Sequence, residues 1–286
     1  MVNPSDSMAS LLSRWWVRLL LFFCGFIIVN ISMILPLMSP VILPESMNIL
    51  ADLSPLLLLI LALGIEYARK EGNYRTLGFS VSIFTVKELL TGILLAVVPL
   101  GIIIGSIILF GGSLSFGRIF SESLLATLGV ALLEEVVFRG MILRSLEQRF
   151  GTITAVLLSG GVFAAAHCIN GMIPTLAIIT VALAGVVFGM MYILTRSLWM
   201  PIAFHAVWNY IEYSVFGRNP DPAIFTGIPA QYRWLFTGEY GIEQGLCTTV
   251  FLIFIIVLLP SITTVSPYAA AADFKQKYAE ARVIAT

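Results

Sequence analysis

Backbone amides and carbonyls that enter a lipid bilayer find no water to bond, so a run of roughly 20 apolar residues can cross only as a helix that satisfies them internally. This chain carries eight such runs, at about 15–37, 48–67, 89–110, 122–146, 153–169, 172–194, 198–215 and 246–265. Strand-like alternation with a period of two is absent. Composition agrees: 59% of the 286 residues are hydrophobic and 11% charged, against about 45–50% and about 25% in a soluble domain. So few charges cannot furnish an ordinary water-facing surface. The expected fold is all-α, a polytopic bundle of about eight transmembrane helices forming a single integral membrane domain over 1–286. No internal repeat divides it. The first run continues past the length of a signal-peptide core and lacks a small-residue cleavage site, so it reads as a retained helix.

Charge placement tests this map. With the N-terminus cytoplasmic, twelve lysines and arginines fall on that side, among them Arg144, Arg149 and Arg196, against Arg118, Arg218 and Arg233 opposite. The positive-inside rule then favours eight spans with both termini, including a tail over 266–286, in the cytoplasm. Residues 72–88 mix apolar and basic side chains, as either an interfacial segment or an ordinary connecting loop does. The stretch 216–245 holds Tyr232, Trp234, Phe236 and Tyr240, aromatics suited to the headgroup level. The formal net charge is zero, so no bulk field draws nucleic acid, and the partner the composition demands is the bilayer. Without a visible targeting extension, the plasma membrane of a prokaryote is the expected location. Cys24, Cys168 and Cys247 are far apart in sequence, with no metal-ligand or redox spacing, and read as small apolar residues.

Ionisable groups at membrane depth cost about 2.5–3.5 kcal/mol each on insertion scales and persist when they pair or do chemistry. Three clusters stand out. Glu135 and Arg139 are four apart in the fourth run, on one helix face, and form an ion pair there. Glu134, rotated by about 100° from its neighbour, points elsewhere and lacks a local partner, the situation of a general acid or base. Phe163 and His167 share a face in the fifth run, His205 and Asn209 in the seventh. The two histidines are the only ones in the chain. A structural reading exists for each cluster alone: a buried ion pair with a spare carboxylate, or His and Asn as interhelical hydrogen-bonding groups. Counting about 1.5 Å per residue from the expected helix ends places Glu134, His167 and Asn209 roughly 16–21 Å deep and His205 shallower, roughly 10 Å.

Two chemistries fit these groups. In one, Glu134 takes a proton from water, His167 orients the water or protonates a leaving amine, and His205 with Asn209 stabilises an oxyanion, with no cofactor. In the other, zinc sits between His167, His205 and a glutamate and acidifies water. No His-Glu-x-x-His helix or Gly-x-Ser-x-Gly elbow is present.

The ordered set Glu134-Glu135-Val-Val-Phe-Arg139, Phe163-Ala-Ala-Ala-His167 and His205-Ala-Val-Trp-Asn209, one motif per helix, resembles the CAAX-protease and bacteriocin-processing (CPBP) family of intramembrane endopeptidases. That family includes the endoplasmic-reticulum enzyme that trims prenylated proteins, whose relatives have eight helices. The resemblance covers about residues 120–210. It implies a glutamate-dependent endopeptidase acting on a peptide or protein substrate, in some members a lipidated one. Glu134 and His167 would activate water, His205 and Asn209 would form the oxyanion site, Glu135 and Arg139 would organise the helix, and Phe163 would line the pocket. It fixes no substrate: members process prenylated tails or leader peptides, and others act as immunity or scaffold proteins. A non-catalytic scaffold is the alternative, followed by a proton-coupled transporter, for which the inverted repeats are missing.

Overall fold

The computed structural model describes residues 12, 14, 16–21, 23–25, 57–68, 74–113, 124–168, 173–216 and 228–263. The protein is all-α. Among the described residues the β contact is a single bridge between Gly238 and Gly241. After an apolar helical stretch at Trp16–Gly25 come α1 (Leu57–Tyr67) and α2 (Phe84–Leu109). Helix α3 (Leu124–Glu135) runs without a break through a π-helical segment, Val136–Leu143, into α4 (Arg144–Phe150). Then follow α5 (Thr152–His167), α6 (Thr175–Thr195) and α7 (Trp199–Ile211), which continues as a second π segment, Glu212–Phe216. The last helix is α8 (Leu246–Ile262). The expected runs at 15–37 and 48–67 are described only in part, and Arg118, Arg218 and the tail over 266–286 lie outside the described residues.

Helix α7 is the centre. Its residues Met200 to Ala206, Trp208 and Asn209 are all buried, packed against α2 on one side and α3 on another. Helices α5 and α6 pack together, and α8 closes against α6. The outward faces are aliphatic. In α2, Leu90, Leu94, Val97 and Ile102 are exposed while Gly92, Ala96, Leu100 and Ile103 are buried; in α8, Val250, Ile253, Phe254 and Val257 are exposed. Apolar side chains on both faces of a helix are what a lipid solvent permits and water does not. Helices α2 and α6 are each long and apolar enough to cross a membrane, and α5 and α8 are apolar but shorter.

The charged groups that the alternation of spans assigns to one side meet at one end. Arg144 pairs with Glu66 (3.1 Å), Arg196 binds Glu147 through both terminal nitrogens (2.6 and 2.8 Å), and Arg18 donates to Gln148 (2.6 Å). The stretch 72–88 divides differently from the expected boundary at 89. Helix α2 starts at Phe84 because Ser82 and Thr85 cap it reciprocally: the Phe84 N–H donates to Ser82 Oγ (3.1 Å) and the Ser82 N–H to Thr85 Oγ1 (2.9 Å). Just before it, Gly78 at φ +109° accepts from the Leu198 amide (3.0 Å), and Trp199 Nε1 donates to the Ser80 carbonyl (3.1 Å). These bonds tie the segment to the start of α7.

One close helix crossing, that of α5 and α6, is set by two glycines. A Cβ on Gly185 of α6 would lie 2.7 Å from the Gly160 Cα of α5, closer than real carbon atoms approach. Gly185→Ala therefore forces the two helices apart and costs about 1–3 kcal/mol, whereas Gly161→Ala, which meets nothing within 4 Å, is expected to be nearly neutral. Thermal unfolding of the two variants in detergent checks this; equal midpoints would contradict it.

Candidate functional site

Glu134 and Glu135 stand at the junction where α3 gives way to the π segment. A π insertion widens the turn and leaves carbonyls out of register with the α-helical ladder, a geometry common at functional sites. One such carbonyl, that of Phe138, accepts from Ser159 Oγ of α5 (3.1 Å). All eight residues from Val136 to Leu143 are buried, so the irregular backbone is enclosed by protein, as a membrane interior requires.

The two adjacent carboxylates diverge. Glu135 is fully buried, and its Oε1 accepts from Arg139 (2.8 Å) and from His205 Nδ1 (2.9 Å). Arg139, also fully buried, donates on to the Gly185 carbonyl (3.1 Å) and lies between the rings of Phe163 and Phe188, 4.6 and 4.7 Å from their centroids. The glycine crossing is what brings that carbonyl within reach. Glu134 instead faces a cavity of about 510 Å³, with its Oε2 3.6 Å from His205 Nε2.

Phe163, His167, His205 and Asn209 line the same cavity as Glu134. Phe163 packs edge-on against Phe138 and against Phe188, and its backbone carbonyl accepts from His167 Nδ1 (2.9 Å). The Phe-x-x-x-His spacing thus fixes a tautomer: with Nδ1 donating, neutral His167 presents a lone pair at Nε2. His205 stacks on Phe188 (centroids 4.8 Å apart, 15° between planes). Its Nδ1 donates to Glu135, since a carboxylate only accepts, and its Nε2 turns toward the cavity.

The turn before α7 is packed into the protein, with Thr195, Ser197 and Leu198 buried, and His205 meets the Glu134 carboxylate from there. The Glu135–His205 bond carries no sequence signal, since it joins residues 70 apart. Glu212 and Tyr213 at the end of α7, with Tyr240, Glu243 and Thr248 beyond, complete the cavity wall. Of these only Glu212 was legible, seven residues after His205 on the same helix face. Cys168, next to His167, bonds the Ala164 carbonyl and is not part of the cavity wall. Among the described residues, no three His, Cys, Asp or Glu side chains gather as a metal site.

The described helices thus bring carboxylates, imidazoles and an amide together around a cavity, the class of site that acid–base chemistry needs. Comparison with family models narrows the class: residues 116–211 match the family described as Type II CAAX prenyl endopeptidase Rce1-like. The CPBP resemblance is therefore borne out over that segment, and at family level it is a resemblance to intramembrane proteases. No curated protein matches the chain. The matched segment carries all seven motif residues from Glu134 to Asn209 and ends before Glu212.

Removing one partner of a buried ion pair strands the other and costs about 3–5 kcal/mol. Glu135→Leu is expected to destabilise the protein by that order, and the double variant Glu135→Leu/Arg139→Met to recover much of it. Unfolding midpoints decide; a double variant no more stable than the single one would contradict the pairing as the source.

Proposed function

We propose that the protein is an intramembrane endopeptidase that hydrolyses a peptide bond with water activated by Glu134. The observation that carries this reading is the convergence of Glu134, His167, His205 and Asn209 on one cavity. Glu134 takes a proton from water while the Nε2 lone pair of His167 holds that water in place. The water oxygen attacks the scissile carbonyl and the π electrons move to its oxygen. The Asn209 amide and Nε2 of His205, in its doubly protonated form with Nδ1 bonded to Glu135, donate to the resulting oxyanion. Collapse breaks the C–N bond, and the proton held by Glu134 passes to the leaving nitrogen, directly or through His167. Glu135 acts behind the site as the group that orients His205, as the third member of a triad orients its base. Arg139 holds Glu135 in turn. Phe163 lines the pocket.

The substrate in this reading is a membrane-associated peptide, either a prenylated CAAX-type tail, as the name of the matched family suggests, or a peptide without a lipid. We keep eight spans, with the Arg144 and Arg196 end cytoplasmic by the positive-inside rule.

Glu134→Gln and His167→Ala are each expected to lower cleavage of a susceptible peptide by about 10²–10⁴-fold. Asn209→Ala is expected to lower kcat by about 10²–10³-fold with less effect on KM. Fluorogenic peptides, with and without a prenyl group, read this on purified protein whose fold is checked by circular dichroism. Unchanged cleavage by Glu134→Gln would refute the mechanism. Loss of activity to a chelator, restored by zinc, would replace it with the metal-dependent version, and no cleavage by the unaltered protein would favour a non-catalytic scaffold.

A further inference from the structure

Helix α6 contributes to the site a side chain that lies outside the three motifs. Phe188 stands three residues after Gly185, on the same face of the helix, and its ring is buried in the cavity wall. The Gly185 carbonyl accepts from Arg139 (3.1 Å), and the Phe188 ring, one turn on, meets the same guanidinium at 4.7 Å. Phe163 of α5 meets it at 4.6 Å. Each of the two rings also touches a histidine. Phe163 lies 4.6 Å from His167, tilted by 53°, and Phe188 lies 4.8 Å from His205, nearly parallel at 15°. Phe163 has a motif position because it precedes its histidine by one helical turn. Phe188 has none because its histidine is on another helix.

The two histidines are anchored differently. His167 Nδ1 donates to the Phe163 carbonyl (2.9 Å), a backbone atom of its own helix that cannot follow the ring. His205 Nδ1 donates to Glu135 Oε1 (2.9 Å), a side-chain oxygen that Arg139 also holds (2.8 Å). A carboxylate on a flexible stem can follow a turning imidazole. This bond therefore holds one atom of the ring and constrains its plane less. A flat ring in contact supplies the second constraint, since turning the imidazole would press its edge toward the phenyl face. Phe188 can serve as that surface because it is itself wedged. Phe163 packs edge-on against it (6.0 Å, 89°), and so does Phe204 (5.4 Å, 73°), the residue before His205 on α7.

We propose that Phe188 is a positioning residue of the site, holding the plane of the His205 imidazole so that Nε2 stays aimed into the cavity while Nδ1 stays on Glu135. The catalytic consequence rests on the proteolytic reading, in which Nε2 donates to the oxyanion; the geometric claim does not. Misplacing a group by about 1 Å can cost about 10²-fold in rate. Loss of the flat contact therefore lowers kcat and leaves KM nearly unchanged.

The test reads the ring first and turnover second. The chain has two histidines, so full-length protein in nanodiscs, isotope-labelled only at histidine, gives two imidazole signal sets by NMR. His167→Ala assigns the set from His205. In the unaltered protein the His205 Nδ1–H is expected as a resolved, slowly exchanging proton. Phe188→Leu keeps an apolar side chain without the flat face, and should speed exchange of that proton with water by about tenfold or more. Phe188→Tyr keeps the ring and should retain the slow proton. Val187→Ala, a truncation of the buried neighbour on the same helix, reports general loosening and should also retain it. A slow Nδ1–H in Phe188→Leu, its loss in Phe188→Tyr or equally in Val187→Ala, or its absence from the unaltered protein would overturn the proposal. In cleavage assays Phe188→Leu should lower kcat by about 10–10²-fold with KM within about twofold. A raised KM with kcat intact would make Phe188 a substrate contact and overturn the positioning role. If the unaltered protein cleaves nothing, the protease reading falls alone, and the Nδ1–H comparison still decides whether Phe188 holds the ring.

Discussion

An arginine with no exposure, in the middle of a helical membrane protein, is the constraint on which the rest depends. Its charge cannot be left in a medium of low dielectric without compensation, and each group that compensates Arg139 comes from a different place. Glu135 supplies the opposite charge from the preceding turn, Gly185 a carbonyl from α6, and Phe163 and Phe188 two rings from α5 and α6. Satisfying one guanidinium therefore fixes three helices relative to one another. The small residues follow from the same need. Only with glycine at both 160 and 185 do α5 and α6 come close enough for the Gly185 carbonyl to serve as an acceptor.

The parts that were legible in the sequence are those set by local period. Glu135 with Arg139, Phe163 with His167 and His205 with Asn209 each lie one helical turn apart, and spacing alone placed them on shared faces. Helix positions were legible because lipid demands long apolar runs, and α6 and α8 fall within a few residues of the expected ends. What escaped was set by relations between helices or by departures from the regular turn. The bond between Glu135 and His205 depends on how α7 packs against α3. The early start of α2 lies in Ser82 and Thr85, whose reciprocal hydrogen bonds open the helix before the apolar run begins. The far wall of the cavity escaped for another reason: Glu243 and Thr248 have no periodic relation to the motifs and meet them only through the fold.

Adjacent glutamates in a helix point in different directions, and this protein uses the divergence. Glu135 turns inward to the arginine and Glu134 toward the cavity. Such a division is fragile if each carboxylate is free to rotate, since either could then approach Arg139. His205 resolves it geometrically. Its Nδ1 is bonded to Glu135 at 2.9 Å and its Nε2 lies 3.6 Å from Glu134, so one rigid ring, held flat against Phe188, spans the gap between them. A carboxylate that bonds both the arginine and Nδ1 has its near oxygen committed. The other glutamate is left facing the one ring nitrogen that opens on the cavity. The ion pair that stabilises the bundle and the groups that face the cavity are thus joined through a single imidazole, and a change that loosens the first must also disturb the second.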